Sequence, residues 1–410
     1  MFSQLFVAVY LALFAAATPL TVRNSPVTVS LARRFNQTGS KTVLELDQAR
    51  ARFFQRTTAR KGAKASTFAA AADSDPVTNG AVSYTAEVNV GSPPTTFSLI
   101  VDTGSSNTWV GADRAYTETS TSRDTGAEVE VEYGSGFFFG EEFIDEVSVG
   151  GLTIPQQSIG VAEFFEGFSG VDGILGIGPT DLTEGTTSSG ETVTVPTFLD
   201  NAFSQGLLSS KEIGISFEPT TSDSITNGEL TFGGTDSSKF TGELHFVPIT
   251  STSPANEFVG IDQSVAYGST TILSETAGIV DTGTTLTLLA SNALATYEEL
   301  TGAVLDDVDT GLLTITAAQF ANLQSLFFTI GSTTFEFTPN AQLWPRALNT
   351  AIGGNADSIY LVVGDLGSDS GEGLDFINGQ TWLERFYFVF DAATPQAGFA
   401  TTQFTDATTN

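Results

Sequence analysis

The feature that most constrains the fold of this chain is a short segment that occurs twice. Residues Ile100–Ser106 (IVDTGSS) recur as Ile279–Thr285 (IVDTGTT), with the two aspartates 179 positions apart. Each copy is an apolar strand that leads into Asp-Thr-Gly. Each is followed later by an apolar segment, at Gly173–Gly176 and at Phe376–Gly379, that ends in Gly. This repeat predicts two similar lobes whose Asp-Thr-Gly loops meet near a pseudo-twofold axis.

Two such loops could carry acid–base chemistry. An Asp at the end of a buried strand is costly unless it is hydrogen bonded. Gly104 and Gly283 allow tight turns that expose backbone N–H groups to the carboxylates of Asp102 and Asp281. Two carboxylates in contact cannot both ionise easily, so the pair would keep one proton at acidic pH. One could then act as a base toward a shared water while the other, protonated, polarises a carbonyl group.

Composition excludes most other kinds of catalytic site. The 410-residue chain has no cysteine, one histidine and a formal net charge of −31, from 16 basic and 47 acidic residues. The lack of Cys excludes disulfides, zinc knuckles, iron–sulfur clusters and a thiol nucleophile. A Ser-His-Asp triad would need His245, and so acidic a chain is a poor partner for nucleic acid. If the protein is an enzyme, carboxylates must carry its chemistry.

The charge is divided unevenly along the chain. Residues 1–70 carry ten basic and two acidic groups, whereas the remainder carries six basic and 45 acidic groups. An uncharged start with an apolar run over Leu5–Ala17 predicts a signal peptide at 1–17 and secretion, rather than delivery to a vacuolar lumen. This run is too short to span a bilayer; the alternative is a buried apolar N-terminal segment.

The basic segment after the leader has two interpretations. We predict that residues 18–70 are a propeptide that lies across the cleft of the acidic body and is cut off near Ala69–Asp75. The alternative is a disordered basic tail. The segment also contains an N-glycosylation sequon, Asn36-Gln37-Thr38.

From about residue 80 the pattern is mainly β, with short β-branched and aromatic runs broken by Gly, Pro and Ser. Hairpins are predicted over Phe143–Ile159 and Leu326–Phe337. A body of this size exceeds the usual limit for one core, so we expect an N-terminal lobe at 71–246 and a C-terminal lobe at 247–410. The few helical candidates are Ser291–Thr301, a segment from about Thr197 to Gly206, and a short helix opened by a Thr316-x-x-Gln319 capping box.

These motifs resemble the pepsin family of aspartic endopeptidases, and within it the polyporopepsin-type enzymes of fungi. Phe97–Trp109 matches the first catalytic segment of the family, and Gly278–Leu289 matches the second. The resemblance covers essentially the whole chain after the leader. It implies a mainly β, bilobal, pepsin-like double-barrel fold with a few short helices. It also implies a catalytic dyad of Asp102 and Asp281 that activates a water at acidic pH, with no cofactor and no metal.

The resemblance further implies roles for the residues of the two loops. Ser105 and Thr284 take the positions whose hydroxyls bond the outer carboxylate oxygens. Thr103 and Thr282 match the pair that links the loops across the axis, next to Gly104 and Gly283.

A flap is implied as well. Val131–Gly136 resembles the tip of a hairpin that closes over bound peptide, with Tyr133, Gly134 and Ser135 in the substrate-binding set. Trp109 would be the tryptophan that accepts the hydrogen bond of Tyr133. Ile174, on the strand behind Asp102, is expected near a substrate side-chain pocket.

The expected protein is thus a secreted, monomeric zymogen that binds its own propeptide and cleaves protein or peptide substrates next to hydrophobic residues, with no membrane or nucleic-acid partner. Two other classes stay open: an inactive binding protein on the same fold, and an acid glycosidase, which also uses paired carboxylates. The chain departs from the family in having no disulfides and in having Gly379-Gln380 where Gly-Asp is usual. The acidic segment Asp365–Asp375 lacks the spacing of a calcium loop, so we interpret it as a solvated loop.

Overall fold

The computed structural model describes residues 25–35, 41–60, 82–190 and 192–409. The predicted signal peptide, the sequon at Asn36 and the expected cleavage region Ala69–Asp75 lie outside the described residues. Within the described ranges, no helix is long and apolar enough to cross a membrane.

Strands dominate the described residues. The strands before residue 250 are β1 (Val27–Phe35), β2 (Val82–Val90), β3 (Thr95–Asp102), β4 (Thr108–Val110), β5 (Arg123–Glu132), β6 (Phe137–Val149), β7 (Leu152–Glu166), β8 (Gly173–Gly176), β9 (Glu212–Ser216), β10 (Ser224–Phe232) and β11 (Thr241–Pro248). The later strands are β12 (Gly260–Tyr267), β13 (Thr270–Val280), β14 (Thr287–Leu289), β15 (Val304–Leu305), β16 (Leu313–Ile315), β17 (Leu326–Ile330), β18 (Thr333–Phe337), β19 (Ile359–Tyr360), β20 (Val363–Asp365), β21 (Phe376–Asn378), β22 (Phe386–Asp391) and β23 (Gln396–Thr401).

Helices are few and mostly short. The α-helices are α1 (Val43–Arg60), α2 (Phe198–Ser204), α3 (Ser291–Thr301), α4 (Ala317–Phe320) and α5 (Gln380–Leu383). Short 3-10 helices lie at Thr180–Thr183, Ala255–Glu257 and Arg346–Ile352.

The strands form three sheets. A 13-stranded sheet has the order β11-β23-β22-β9-β10-β1-β2-β3-β8-β4-β7-β6-β5, and a 7-stranded sheet has the order β18-β17-β12-β13-β21-β14-β20. A 3-stranded sheet joins β15, β16 and β19. β1 lies inside the largest sheet, antiparallel to β10 on one side and to β2 on the other. The chain is mainly β and bilobal, as predicted.

The two repeated segments have the same strand environment. β3 runs parallel to β8, with Asp102 opposite Gly176, and β13 runs parallel to β21, with Val280 opposite Asn378. β8 and β21 are each also paired antiparallel with the short strand that follows the Asp-Thr-Gly loop, β4 and β14 respectively. The duplication seen in the sequence is therefore a duplication of one strand arrangement, and each copy delivers an Asp-Thr-Gly loop to the centre of the molecule.

The local predictions are confirmed. The β6–β7 hairpin pairs Val149 with Leu152 around two glycines in the left-handed region, and the β17–β18 hairpin pairs Ile330 with Thr333. α3 has the predicted bounds, and capping boxes open α2 at Thr197 and α4 at Thr316.

Aromatic packing supplies stability where the chain has no disulfide. The Trp382 ring lies 4.4 Å from that of Phe386 and 5.6 Å from that of Phe399, and Phe335 packs edge-on against all three. Such pairs contribute about 1 kcal/mol each beyond the burial of their area. This cluster lies where the 7-stranded sheet meets β22 and β23 of the 13-stranded sheet, so it joins the two sheets.

The basic segment is folded where it is described. β1 is hydrogen bonded on both edges, and α1 is opened by reciprocal bonds between Thr42 and Glu45. α1 buries one face, with Val43, Asp47, Arg50 and Phe54 at helical spacing. The alternative of a disordered tail is wrong for these residues.

Candidate active site

The two Asp-Thr-Gly loops hold their carboxylates in the same way. Asp102 accepts hydrogen bonds from Gly104 N (3.0 Å) and from the Ser105 hydroxyl (2.5 Å). Asp281 accepts hydrogen bonds from Gly283 N (3.2 Å) and from the Thr284 hydroxyl (2.6 Å). The Asp102 residue is 1% exposed and Asp281 is 0% exposed. Each carboxylate is thus buried and accepts hydrogen bonds from one backbone N–H and one side-chain hydroxyl of its own loop.

Thr103 and Thr282 tie the loops together. The Thr282 hydroxyl accepts a hydrogen bond from Thr103 N and donates one to Val101 O, at 2.9 and 2.8 Å. The Thr103 hydroxyl accepts one from Thr282 N and donates one to Val280 O, at 3.0 and 3.2 Å. All four bonds cross the pseudo-twofold axis, so neither loop can move without the other.

A cation from α1 lies between the two carboxylates. Arg50 Nη2 donates to Asp102 Oδ1 at 2.5 Å and to Asp281 Oδ1 at 2.9 Å, and its Nε donates to Asp281 Oδ2 at 2.7 Å. The guanidinium is 3% exposed and stacks over the Phe54 ring, 4.8 Å from its centroid. The arginine therefore occupies the space that separates the two aspartates.

The carboxylates respond to burial and to this arginine. Burial raises the pKa of Asp102, and repulsion from Asp281 adds to the rise while Arg50 opposes it. Burial also acts to raise the pKa of Asp281, but Arg50 and the Thr284 hydroxyl outweigh it, so this pKa lies below its ordinary value. Burial disfavours the charge of Arg50, yet the two carboxylates outweigh that effect and raise its pKa. Arg50 thus offsets part of the negative charge that the two buried carboxylates bring together.

Comparison with known proteins agrees with this geometry. A family model described as eukaryotic aspartyl protease matches residues 83–402. The chain is 64% identical over 341 residues to polyporopepsin of Irpex lacteus, which covers 83% of this chain and 100% of that protein. It is 33% identical to rhizopuspepsin-1 of Rhizopus niveus over 78% of this chain and 79% of that protein.

A solved structure extends the match to three dimensions. The crystal structure of the aspartic proteinase from Irpex lacteus aligns with a TM-score of 0.79 at 64% identity, over 82% of this chain and 98% of that chain. The chain belongs to the eukaryotic aspartyl protease family. It is a pepsin-like, aspartic-type endopeptidase. β1 and α1 both precede the residues that the aspartyl protease model matches.

The predicted flap, the β5–β6 hairpin, lies against α1. Tyr133 N donates to Gly136 O at the tip of the β5–β6 hairpin, and Gly134 adopts the left-handed backbone with φ +76°. A Cβ at Gly134 would lie 2.5 Å from Ala49 O and 2.8 Å from Phe53 Cβ. Ser135, beside it, is buried. The flap tip and the helix that carries Arg50 are thus in direct van der Waals contact.

One predicted contact of the flap has its direction reversed. Trp109 was expected to accept the hydrogen bond of Tyr133, but an indole N–H can only donate. Burial raises the pKa of Tyr133, and a donor contact from the Trp109 indole opposes this rise, although neither polar atom meets strict hydrogen-bond geometry among the described residues. Both rings also pack edge-on against Phe168, at 4.8 and 5.3 Å, in an apolar cluster that also contains Ile174. Apolar packing therefore holds Tyr133 next to the Trp109 indole.

Asp47 is a second site contact that the motifs did not reveal. Its carboxylate accepts hydrogen bonds from Thr285 N (3.1 Å) and Leu286 N (2.8 Å), immediately after the second loop. Burial raises the pKa of Asp47 to about 7 despite these two donors. Asp47 and Arg50 lie on one face of α1, so helical spacing within Val43–Phe54 was the signal that could have found both.

Gln380 occupies the position where the family usually has an acid. Its Nε2 donates to Thr282 O at 2.8 Å and to Val82 O at 3.2 Å. A carboxylate could not donate to either carbonyl. The amide therefore links the second catalytic-type loop to the start of β2, and the sequence alone gave no sign of this link.

Proposed function

We propose that this chain is the precursor of a secreted endopeptidase in which Asp102 and Asp281 form the catalytic dyad and residues 18–70 are an inhibitory propeptide. The observation that carries the proposal is the Arg50 side chain, which bonds both carboxylates from a helix that lies outside the matched family region. A buried arginine between two aspartates offsets their negative charge and keeps substrate out. The chain would be inactive until α1 leaves the cleft.

The proposed chemistry follows from the matched loops. With Arg50 gone, the two carboxylates would share one proton, because they are too close to ionise together. The ionised carboxylate takes a proton from water, and the resulting hydroxide attacks the peptide carbonyl carbon while the protonated carboxyl donates to the carbonyl oxygen. Transfer of a proton to the amide nitrogen then breaks the C–N bond. No covalent bond to the enzyme forms at any step.

The proposed release of α1 is driven by acid. With α1 docked, Arg50 outweighs burial at Asp281 and holds its pKa below the ordinary value, so docking favours ionised Asp281 and weakens as the pH falls. At Asp102 burial outweighs Arg50, and the pKa is raised. Asp47 acts in the opposite sense, because its pKa of about 7 in the docked helix means that protonation below pH 7 favours docking. Release at acidic pH must therefore come from protonation of Asp281.

Substrate preference is proposed from the walls beneath the flap. Tyr133, Phe168, Val171 and Ile174 belong to one apolar cluster next to Asp102. Apolar walls with a few polar groups are typical of sites that bind hydrophobic side chains. We expect cleavage next to hydrophobic or aromatic residues of proteins and peptides.

The decisive experiment is digestion of denatured haemoglobin at pH 4 by the acid-treated protein, with and without pepstatin. Pepstatin-sensitive cleavage is expected. Asp102→Asn and Asp281→Asn should each reduce activity at least ~1000-fold, because removal of a member of a catalytic unit disables the unit. Unchanged circular dichroism would show that both variants fold.

Other outcomes would support the competing classes. Absence of pepstatin-sensitive cleavage in folded wild-type protein would favour an inactive binding protein, and substantial activity in either Asn variant would refute the dyad. N-terminal sequencing of the secreted form would test the propeptide boundary and the predicted leader together.

A further inference from the structure

A second buried ion pair joins the basic segment to the body, far from the aspartates. Arg33 on β1 donates from Nε to Glu384 Oε1 at 3.1 Å and from Nη1 to Ser222 O at 3.3 Å. The Tyr84 hydroxyl donates to the same Glu384 oxygen at 3.2 Å. Arg33 is 2% exposed and Glu384 is 6% exposed, so the pair is removed from solvent.

The groups that face Glu384 are few. Arg33 approaches it from β1, Tyr84 from β2, and Arg385 follows it in the chain. The Arg385 guanidinium is directed to the C-terminal tail, where Nη1 donates to Phe404 O and Ala407 O. Burial raises the pKa of Glu384, and Arg33 is the largest influence that opposes this rise. Arg33 is the cation in direct contact with Glu384.

Among the described cations of the body, only Arg385 acts on Glu384, and its Nη1 is held by two carbonyls of the C-terminal tail, so it does not pair with Glu384 as Arg33 does. Residues 65–81 contain no Lys or Arg, and the next basic residue is Arg114. The basic groups beyond it are engaged elsewhere or exposed: Arg114 lies 3.9 Å from Asp172, Lys211 lies 2.6 Å from Asp200, Lys239 lies 3.6 Å from Glu229, Arg346 stacks on Phe320, and Arg123 is exposed on the edge strand β5.

We propose that Arg33 is the counter-ion that lets Glu384 ionise inside the fold, and that loss of β1 on processing leaves Glu384 as a buried, unpaired carboxyl that confines the stable mature form to acidic pH. This inference rests on the proposed removal of residues 18–70. It assigns to the basic segment a second role, distinct from the blocking of the aspartates. One end of the segment neutralises the catalytic-type carboxylates, and the other sets the pH range in which the body is stable.

The direction of the effect follows from proton linkage. A carboxyl whose pKa is higher in the folded than in the unfolded protein stabilises the fold at low pH, and this stability is lost as the pH rises through the folded pKa. Removal of Arg33 raises the folded pKa of Glu384 further and enlarges that loss. Protonated Glu384 in acid has no such penalty, so the mature form is unaffected there.

The first test uses the uncut precursor and does not depend on processing. Thermal unfolding of wild type, Arg33→Gln, Glu384→Gln and the double variant is measured from pH 4 to pH 9. The alkaline midpoint is the pH at which the melting temperature has fallen halfway from its maximum on the alkaline side. Arg33→Gln should lower this midpoint by about one pH unit, and the double variant should restore it. Glu384→Gln alone should lower the melting temperature by about 5 °C or more near neutral pH, because it leaves Arg33 buried without a partner.

The second test uses the acid-processed product, with its N-terminus sequenced. There Glu384→Gln should have the opposite effect and raise the alkaline midpoint by about one unit. Glu142→Gln is the matched control: Glu142 is 5% exposed, burial raises its pKa to about 7, and it is held by Ser158 within β6 and β7. This control should shift both forms alike.

The outcomes separate the two proposals. If sequencing shows that residues 27–60 remain attached after acid treatment, the proposed processing fails, while the first test still decides the role of Arg33. The inference is overturned if Arg33→Gln leaves the alkaline midpoint unchanged, or if the double variant is as base-labile as Arg33→Gln. It is equally overturned if Glu384→Gln fails to stabilise the processed product, as would happen if the new α-amino group had replaced Arg33.

Discussion

Arg50 suits its position because a guanidinium can serve two carboxylates at once. Nε and Nη2 donate three hydrogen bonds to Asp102 and Asp281, a geometry that the planar fork of arginine allows and the point charge of lysine does not. Without Arg50, two like charges would be buried with no compensation. Breaking such a buried arrangement costs about 3–5 kcal/mol.

We therefore predict that Arg50→Met weakens the docking of α1. Conversion of the precursor at pH 5.5, followed on gels, should accelerate at least ~10-fold, since even a modest part of that cost exceeds 1.4 kcal/mol. Arg52→Met is the control, because Arg52 is exposed on the same helix. Equal conversion rates for the Arg50 variant and wild type would contradict the blocking role of Arg50.

Single residues were predictable only where a pattern repeats. Asp102 and Asp281 were found because two matched strand–loop segments mark them, and the hydroxyl partners followed from the same match. Arg50 was missed, although the helical spacing of α1 could have indicated it. Glu384 was not predictable, because it and its partner Arg33 are 351 positions apart and no local motif links them. The contact between Trp109 and Tyr133 was predicted with the wrong direction, because an indole N–H can only donate.

At the scale of elements, the flap and α1 make a contact that glycine permits. Gly134 and Gly126 lie in the same hairpin with nearly equal φ values of +76° and +74°. A Cβ at Gly134 would meet the backbone of α1, whereas one at Gly126 would have no neighbour within 4 Å. Alanine substitutions at these two glycines would therefore cause similar backbone strain, but only the one at Gly134 would add a steric contact with α1.

We predict that Gly134→Ala speeds conversion of the precursor by about 10-fold at pH 5.5, because overpacking against α1 costs about 1–3 kcal/mol in the docked state. Gly126→Ala should lose about 1 kcal/mol of overall stability through backbone strain and leave conversion unchanged. Trypsin cleavage within α1 gives an independent readout of docking. Identical behaviour of the two variants would show that the flap–helix contact has no influence.

Elements were predictable where their signals are local. Glycines at the turns, Gly150-Gly151 in one hairpin and Gly331 in the other, marked the hairpins, and capping residues marked α2 and α4. The insertion of β1 between β10 and β2 was not predictable, because both partner strands are distant from β1 in the sequence and pair with it only in the folded chain. Sequence pattern specifies the elements here better than it specifies their neighbours.

At the scale of the whole molecule, the charge is concentrated in the part that would remain after processing. That part has six basic and 45 acidic groups, and the segment that balances it carries most of the arginines. Mutual repulsion of surface carboxylates destabilises a compact state and is screened by salt. The buried carboxyl of Glu384 lies beyond the reach of that screening.

We predict that 0.5 M NaCl raises the alkaline midpoint of the processed product by about half a pH unit, through screening of surface repulsion. Salt should shift wild type and Glu384→Gln equally, so that the difference between them persists. Melting curves at both salt concentrations measure the two contributions. If salt abolishes the difference, Glu384 acts as a surface charge and not as a buried one.

The position of β1 has a consequence for how such a protein can be made. β1 is an interior strand of the 13-stranded sheet, with partners along both edges. Under the proposed processing, the template on which β2 and β10 assemble is present during folding and absent afterwards. Unfolding of the product would then be a one-way event, and its working lifetime would be set by an unfolding rate and not by an equilibrium. The removed segment would thus be needed for the folding of the mature protein but not be part of it.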